Sequence, residues 1–256
     1  MICTAETQFA ISALQPQRHT GLKRRIVSFC CLLVILLCGC STQEEPTTLK
    51  ALVKDHATIY LLENGSYVPF CVVDGNYSDG VLVMREQLTA EQIPFRDTNV
   101  FNTGGSYYPG SQVDLFLNET YLMTLDETVR SRIMDSTITV SSLETILYGK
   151  RPAKTEQIQR KVFLLSATEV GIRSGMTGTE GRALAYFDDC VHPGPQWLRS
   201  AYLWDDLHAW MLEPEGPYEE SVSTAAYVRP VFVLPGDTAI TESEEVIAGR
   251  TVFVLD

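Results

Sequence analysis

Trp204, Asp205, Asp206, Trp210 and Glu213 fall within one short stretch of a 256-residue chain that has three tryptophans in all, the third being Trp197. Flat indole faces stack on sugar C–H surfaces or on ligand rings, and carboxylates beside them accept hydroxyl hydrogens or hold calcium through oxygen. These five residues are the candidate ligand-binding set; no cofactor is expected, and calcium is the one their oxygens would suit. Trp204, next to two aspartates in a loop-like segment, reads as exposed. Trp197 and Trp210 lie on strand-like segments, where a large ring more often belongs to the core.

Arg199 and Arg229 each admit two readings: a fork for a ligand carboxylate, or an internal ion pair tying the last strands to a helix acid. The internal pair is favoured, because a strand-borne arginine between apolar neighbours needs a buried partner. Trp197 is likewise structural or ligand-binding. Glu169 stands three residues after Ser166, the spacing of a capping box, so both are assigned to capping rather than catalysis. The chain has no Gly-x-Ser-x-Gly elbow, no His-Glu-x-x-His and no Cys-x-x-Cys, and its glycine-rich run at 175–181 lacks the Gly-Lys-Ser/Thr of a phosphate loop. No catalytic residue is assigned, and paired carboxylates of the kind that hydrolyse glycosides are the enzymatic alternative.

The N-terminal segment gives an address. A basic cluster (Lys23, Arg24, Arg25), an apolar run at 26–37 shorter than the roughly 20 residues of a spanning helix, and Gly39 before Cys40 read as a bacterial lipoprotein signal. Residues 1–39 would be the signal peptide, with the true start near Leu22 because residues 1–21 form a polar extension ahead of the basic cluster. Cys40 would open the mature chain and carry a thioether-linked diacylglycerol, anchoring it on the extracytoplasmic face of the cell membrane. Removing 1–39 takes away Arg18, Lys23, Arg24, Arg25 and Glu6, so the formal charge moves from −12 to −15. That disfavours nucleic acid as a partner, which needs a cationic surface. Of seven cysteines, Cys71 and Cys190 remain outside the signal and lipid site. They either pair as a disulfide or are two separately buried thiols.

Residues 40–50 read as the lipidated cysteine and a flexible tether, and 51–256 as a single globular domain. Apolar runs at 59–62, 67–73 and 81–84, broken by Asn64-Gly65 and by turn residues through 74–80, predict an antiparallel meander. Ser111-x-x-Asp114 with Val113, Leu117 and Tyr121 predicts a helix over 112–122. Thr124-x-x-Glu127 predicts a second, shorter one ending near Met134, and Ser166-x-x-Glu169 opens a third. Residues 137–140 and 161–165 read as strands, 144–159 as an insertion and 174–182 as a mobile loop. Segments 197–200, 208–212, 227–234 and 251–255 complete the strands. Antiparallel strands with two or three short helices in the middle make the expected class α+β.

Several segments carry a family resemblance. Asn118 and Tyr121 in LNETYL, 163–169 in FLLSATE, 197–200 in WLRS and 228–230 in VRPVFVL resemble an uncharacterised domain-of-unknown-function family, number 6273, of bacterial surface and phage-related proteins. The likeness runs over about 58–234 and implies no established activity. The closing Trp and Val-Arg strands are also similar to C-type-lectin-like domains. However, Ala201 stands where members commonly have Pro. The calcium-lectin motifs are echoed only by Glu213-Pro214-Glu215 and Trp204-Asp205-Asp206, in reverse order, so calcium-dependent sugar binding is not carried over. The expectation is a membrane-anchored surface module that binds a cell-wall glycan, a peptide or another surface protein. A hydrolase of wall polysaccharide and a structural subunit of an envelope complex are the alternatives.

Overall fold

The structure, a computed structural model, describes residues 47–98, 100–149, 151–188 and 192–255. The segment expected as a signal peptide, Cys40, most of the expected tether and Cys190 lie outside the described residues. Folding begins earlier than Ala51: β1 (Thr47–Thr48) pairs with a C-terminal strand, and Leu49 is fully buried at the head of a 3-10 helix, Leu49–Asp55.

β2 (Thr58–Glu63), β3 (Ser66–Tyr77) and β4 (Gly80–Arg85) form an antiparallel meander. Asn64-Gly65 and Ser78-Asp79 turn it, all four with positive φ, the backbone that matches the strand twist in a tight hairpin. Asp74-Gly75 does not turn the chain; it lies inside β3 at a register shift against β4. Cys71 is buried in the same strand.

The expected α+β balance is corrected: strand makes up 41% and helix 16% of a β-rich fold with four sheets. The helices are short: α1 (Gln112–Leu115), α2 (Glu127–Arg130) and α3 (Leu143–Tyr148). Past α1 the run expected as one helix widens into a π turn, Phe116–Thr120, and then tightens into a 3-10 turn, Tyr121–Thr124. Asn118 lies in the π turn, where its amide donates to Val162 O and accepts from Val162 N–H. This side chain thus pairs with a strand edge as a backbone would. Asp126, not Thr124, caps α2, and the chain leaves helix before Met134, whose N–H goes to Val233 O. Gly171, with φ of 84°, follows the single turn after Ser166.

The strand excess comes from segments with little apolar signal. β6 (Ser136–Ser141) pairs along its length with β7 (Thr155–Arg160), inside the stretch expected as an insertion, with α3 between them. The remaining strands of the two five-stranded sheets and the three-stranded sheet are β5 (Gln92–Pro94), β8 (Val162–Phe163), β9 (Gln196–Ala201), β10 (His208–Glu213), β11 (Gly216–Ser221), β12 (Ala225–Tyr227), β13 (Val231–Leu234), β14 (Ala239–Ile247) and β15 (Arg250–Leu255). Their orders are β11-β10-β9-β12-β5, β2-β3-β4-β13-β8 and β1-β14-β15. Both five-stranded sheets contribute to one continuous apolar core.

The segment expected as a single strand over 227–234 is two strands in different sheets. Val228-Arg229-Pro230 is the crossing, where Pro230 offers no N–H and biases Arg229 away from helix. Arg229 donates from Nε to Arg85 O at 2.8 Å and from Nη2 to Glu86 O at 2.9 Å. It binds backbone carbonyls at the sheet corner.

Candidate functional site

β9 and β10 are joined by a loop at 202–207 that is fastened on several sides. Tyr202 N–H donates to His208 O at 3.0 Å, closing the hairpin, and Leu203 N–H donates to Met176 O at 2.8 Å, tying it to the glycine-rich segment. The Asp206 carboxylate accepts from the N–H groups of Thr103 and Gly104 at 2.9 and 2.8 Å, and Asp206 O accepts from Ser106 N–H. Gly105 lies so close that an added Cβ would sit 2.9 Å from Asp206 O. Trp204, at the tip of this held loop, is 73% exposed.

Met176, Tyr202, Trp204, Asp205, His208 and Glu219 line an open pocket of about 380 Å³ at this loop. Asp205 folds back in an Asx turn: Oδ1 accepts Leu207 N–H at 2.9 Å and lies 2.8 Å from His208 Nδ1. An N–H at Nδ1 donates there, which fixes the imidazole plane and leaves Nε2 for other partners. Tyr202 stands edge-on against Trp210 with ring centroids 5.3 Å apart. Glu219 enters because it is the register partner of Trp210 across β10 and β11.

The five candidate residues therefore separate. Trp204 and Asp205 line the pocket. Asp206 is buried and spent on the 103–106 segment. Trp210 is buried beneath Tyr202. Glu213 ends β10 opposite Gly216, at the far end of the strand from His208. Trp197 is buried in the core, its Nε1 donating to Ile93 O at 2.9 Å and its ring edge-on to Phe95. The sequence reasoning missed Tyr202, His208, Glu219 and Met176. The two flanking Trp204 could have been found from proximity alone, whereas Glu219 and Met176 arrive by strand register and loop contact.

Arg199 and Glu169 form the centre of a closed polar knot. Their side chains are 0% and 1% exposed and meet in a two-bonded fork at 2.7 and 2.8 Å. Arg199 also donates to Thr139 O and Leu164 O, while Glu169 accepts from Tyr77 Oη and Ser166 N–H. Ser166 Oγ accepts from Glu169 N–H at 3.1 Å, completing the reciprocal box. Burial, the largest single influence, opposes the charge on Arg199, yet Glu169, Tyr77 and Glu180 together hold the guanidinium above its ordinary pKa. Glu180, fully buried, accepts from Ser141 N–H and from the hydroxyls of Ser141 and Ser200. Burial pushes its pKa up, against the opposing pull of Arg199 and these donors.

The segments FLLSATE, WLRS and VRPVFVL meet in this knot and at the sheet corner. A family model described as a domain of unknown function (DUF6273) matches residues 78–236, more than half of the chain. The chain belongs to this family. No curated protein and no solved structure matches it. The DUF6273 match runs from the turn between β3 and β4 to just past β13, so it includes Arg199, Glu169 and Glu180 of the knot and the Trp204 pocket, with Tyr77 just before it and β14 and β15 beyond it. Among the described residues of this DUF6273 protein, no group of three or more His, Cys, Asp or Glu is placed to hold a metal ion, and no helix is long and apolar enough to cross a membrane.

Proposed function

We propose that this DUF6273 protein is a surface ligand-binding module, lipid-anchored through Cys40 on the extracytoplasmic face of a bacterial membrane, with the pocket at Trp204 as its binding site. The observation that carries the reading is Trp204 itself: a large aromatic ring, 73% exposed, on a loop fastened by backbone and carboxylate hydrogen bonds. A largely exposed indole contributes little to the fold, and a pre-ordered aromatic face beside polar groups is what a weakly binding sugar or peptide needs. Loops held by a rigid sheet are also where binding residues concentrate. The ligand class is a wall glycan or a surface protein.

The test is retention of the full-length chain, in detergent micelles, on purified cell walls and on a glycan panel, with and without calcium, while released sugars are measured. Retention that Trp204→Ala abolishes, without sugar release, supports a binding module. Release of sugar that Asp205→Asn or Glu219→Gln stops would replace it with the hydrolase reading. Retention unchanged in Trp204→Ala would remove this pocket from the function.

A further inference from the structure

The chemistry of the pocket walls says more than that something binds there. Three aromatic rings (Tyr202, Trp204, His208) and two carboxylates (Asp205, Glu219) share it with Met176, and no lysine or arginine lines it. Of the hydrogen-bond donors on the lining, His208 Nδ1 is already committed to Asp205, which leaves the Tyr202 hydroxyl and Trp204 Nε1–H for a ligand's acceptors and the carboxylates for its donors. Carboxylates and ring faces have in common that both attract positive charge, the carboxylate by its charge and the ring by its quadrupole, tryptophan most strongly. A soft thioether tolerates alkyl groups on a cation. The chain as a whole carries a formal charge of −12, which draws cations toward it.

We propose that the pocket at Trp204 binds an organic ammonium group, quaternary or primary, carried by the surface ligand. This rests on the binding-module reading and specifies what enters the site. The cation lies against the Trp204 face, with Asp205 and Glu219 as its counter-charges. Arg151, which donates to Gly175 O and Met176 Sδ, is the opposing charge at the Met176 edge. Arg151→Gln should leave ammonium binding unchanged or tighter.

The experiment titrates the full-length chain in detergent micelles with choline, with N-acetyl-lysine amide, and with the carbon isostere of choline in which a tert-butyl group replaces trimethylammonium. Heat and tryptophan emission are both read, at constant ionic strength. The expected result is saturable binding of at least one ammonium compound, tenfold or more tighter than the isostere, lost in Trp204→Ala and weakened threefold or more in Glu219→Gln. Choline binding alone identifies a quaternary headgroup as the source; lysine amide binding alone identifies a peptide or other primary amine. Isostere and choline binding equally, or neither ammonium compound binding, overturns the ammonium proposal. If wall retention still depends on Trp204 in that case, the binding-module reading stands without it; if not, both fall together.

Discussion

Arg199 and Trp204 belong to one strand and the loop that follows it, yet they sit in opposite kinds of chemistry. Around Arg199, each charged group is answered: the fork to Glu169, the carbonyls of Thr139 and Leu164, and the Ser141 and Ser200 hydroxyls on Glu180. Around Trp204, aromatic faces and a carboxylate, Glu219, meet solvent. Residue types alone would have made either cluster a site. What separates them is closure: a buried ion pair with all its donors matched has nothing left for a ligand, and it ties β9 to β6, to the segment after β8 and, through Tyr77, to β3 instead.

The largest effect should come from opening the closed cluster. Arg199→Met leaves Glu169 buried without its cation, which should cost about 3–5 kcal/mol in denaturant unfolding. The double variant Arg199→Met/Glu169→Leu should recover a large part of that loss, since the penalty lies in the stranded charge and not in the absent pair. A double variant as unstable as the sum of the two singles would mean that Arg199 and Glu169 act independently and that the loss does not lie in a stranded charge.

Next in size is a contrast between two neighbouring acids. Asp206 accepts two backbone N–H bonds in a buried position, so Asp206→Ala should lower stability by about 1.5–3 kcal/mol, the range for hydrogen bonds to a charged group. Asp205 is partly exposed at 22%, and Asp205→Asn should cost less than about 1 kcal/mol while weakening ligand retention. Equal stability losses would mean that the 202–207 loop is held as much from its pocket side as from its 103–106 side.

These contrasts also mark what was legible in the sequence. Asn64-Gly65, the apolar strands of the meander and the Ser166–Glu169 spacing could be read because each is a local signal: turn chemistry, hydrophobic runs, a cap. β7, β11 and β14 could not, because Thr155–Arg160, Gly216–Ser221 and Ala239–Ile247 are rich in Glu, Ser and Thr and lie half-exposed, so strand formation there is decided by the partner strand. The α+β expectation failed for the complementary reason: the caps at Ser111 and Ser166 were real starts of helical turns, but the run after Ser111 leaves α geometry at the π turn that holds Asn118, and the left-handed Gly171 ends the turn after Ser166. For the candidate site, the cluster of tryptophans and acids spans one loop and the strand after it, and burial sorts its members. Nothing in Trp204-Asp205-Asp206 says which aspartate turns inward.

Glu180 gives the comparison a pH dependence. Burial raises its folded-state pKa above the usual carboxylate value of about 4.3, so the folded state takes up a proton at a pH where the unfolded chain has already lost it. Its contribution is then fully present below that ordinary value and is lost as pH rises through the raised one. Urea midpoints taken from about pH 4 to about pH 8 should include a decline that Glu180→Gln removes. The same slope in both proteins would mean that the neighbouring hydroxyls and Arg199 compensate the charge completely.

The smallest stability effect should come from the residue expected to matter most for binding. Trp204→Ala removes a side chain that is largely in water, and an exposed position away from caps and buried partners changes stability by no more than about 0.5 kcal/mol. Thermal unfolding should therefore be indistinguishable from the unaltered chain while retention on the ligand disappears. A fall in stability comparable to that of Asp206→Ala would instead mean that the indole braces its own loop, and Trp204 would then belong with Arg199 among the residues that serve the fold.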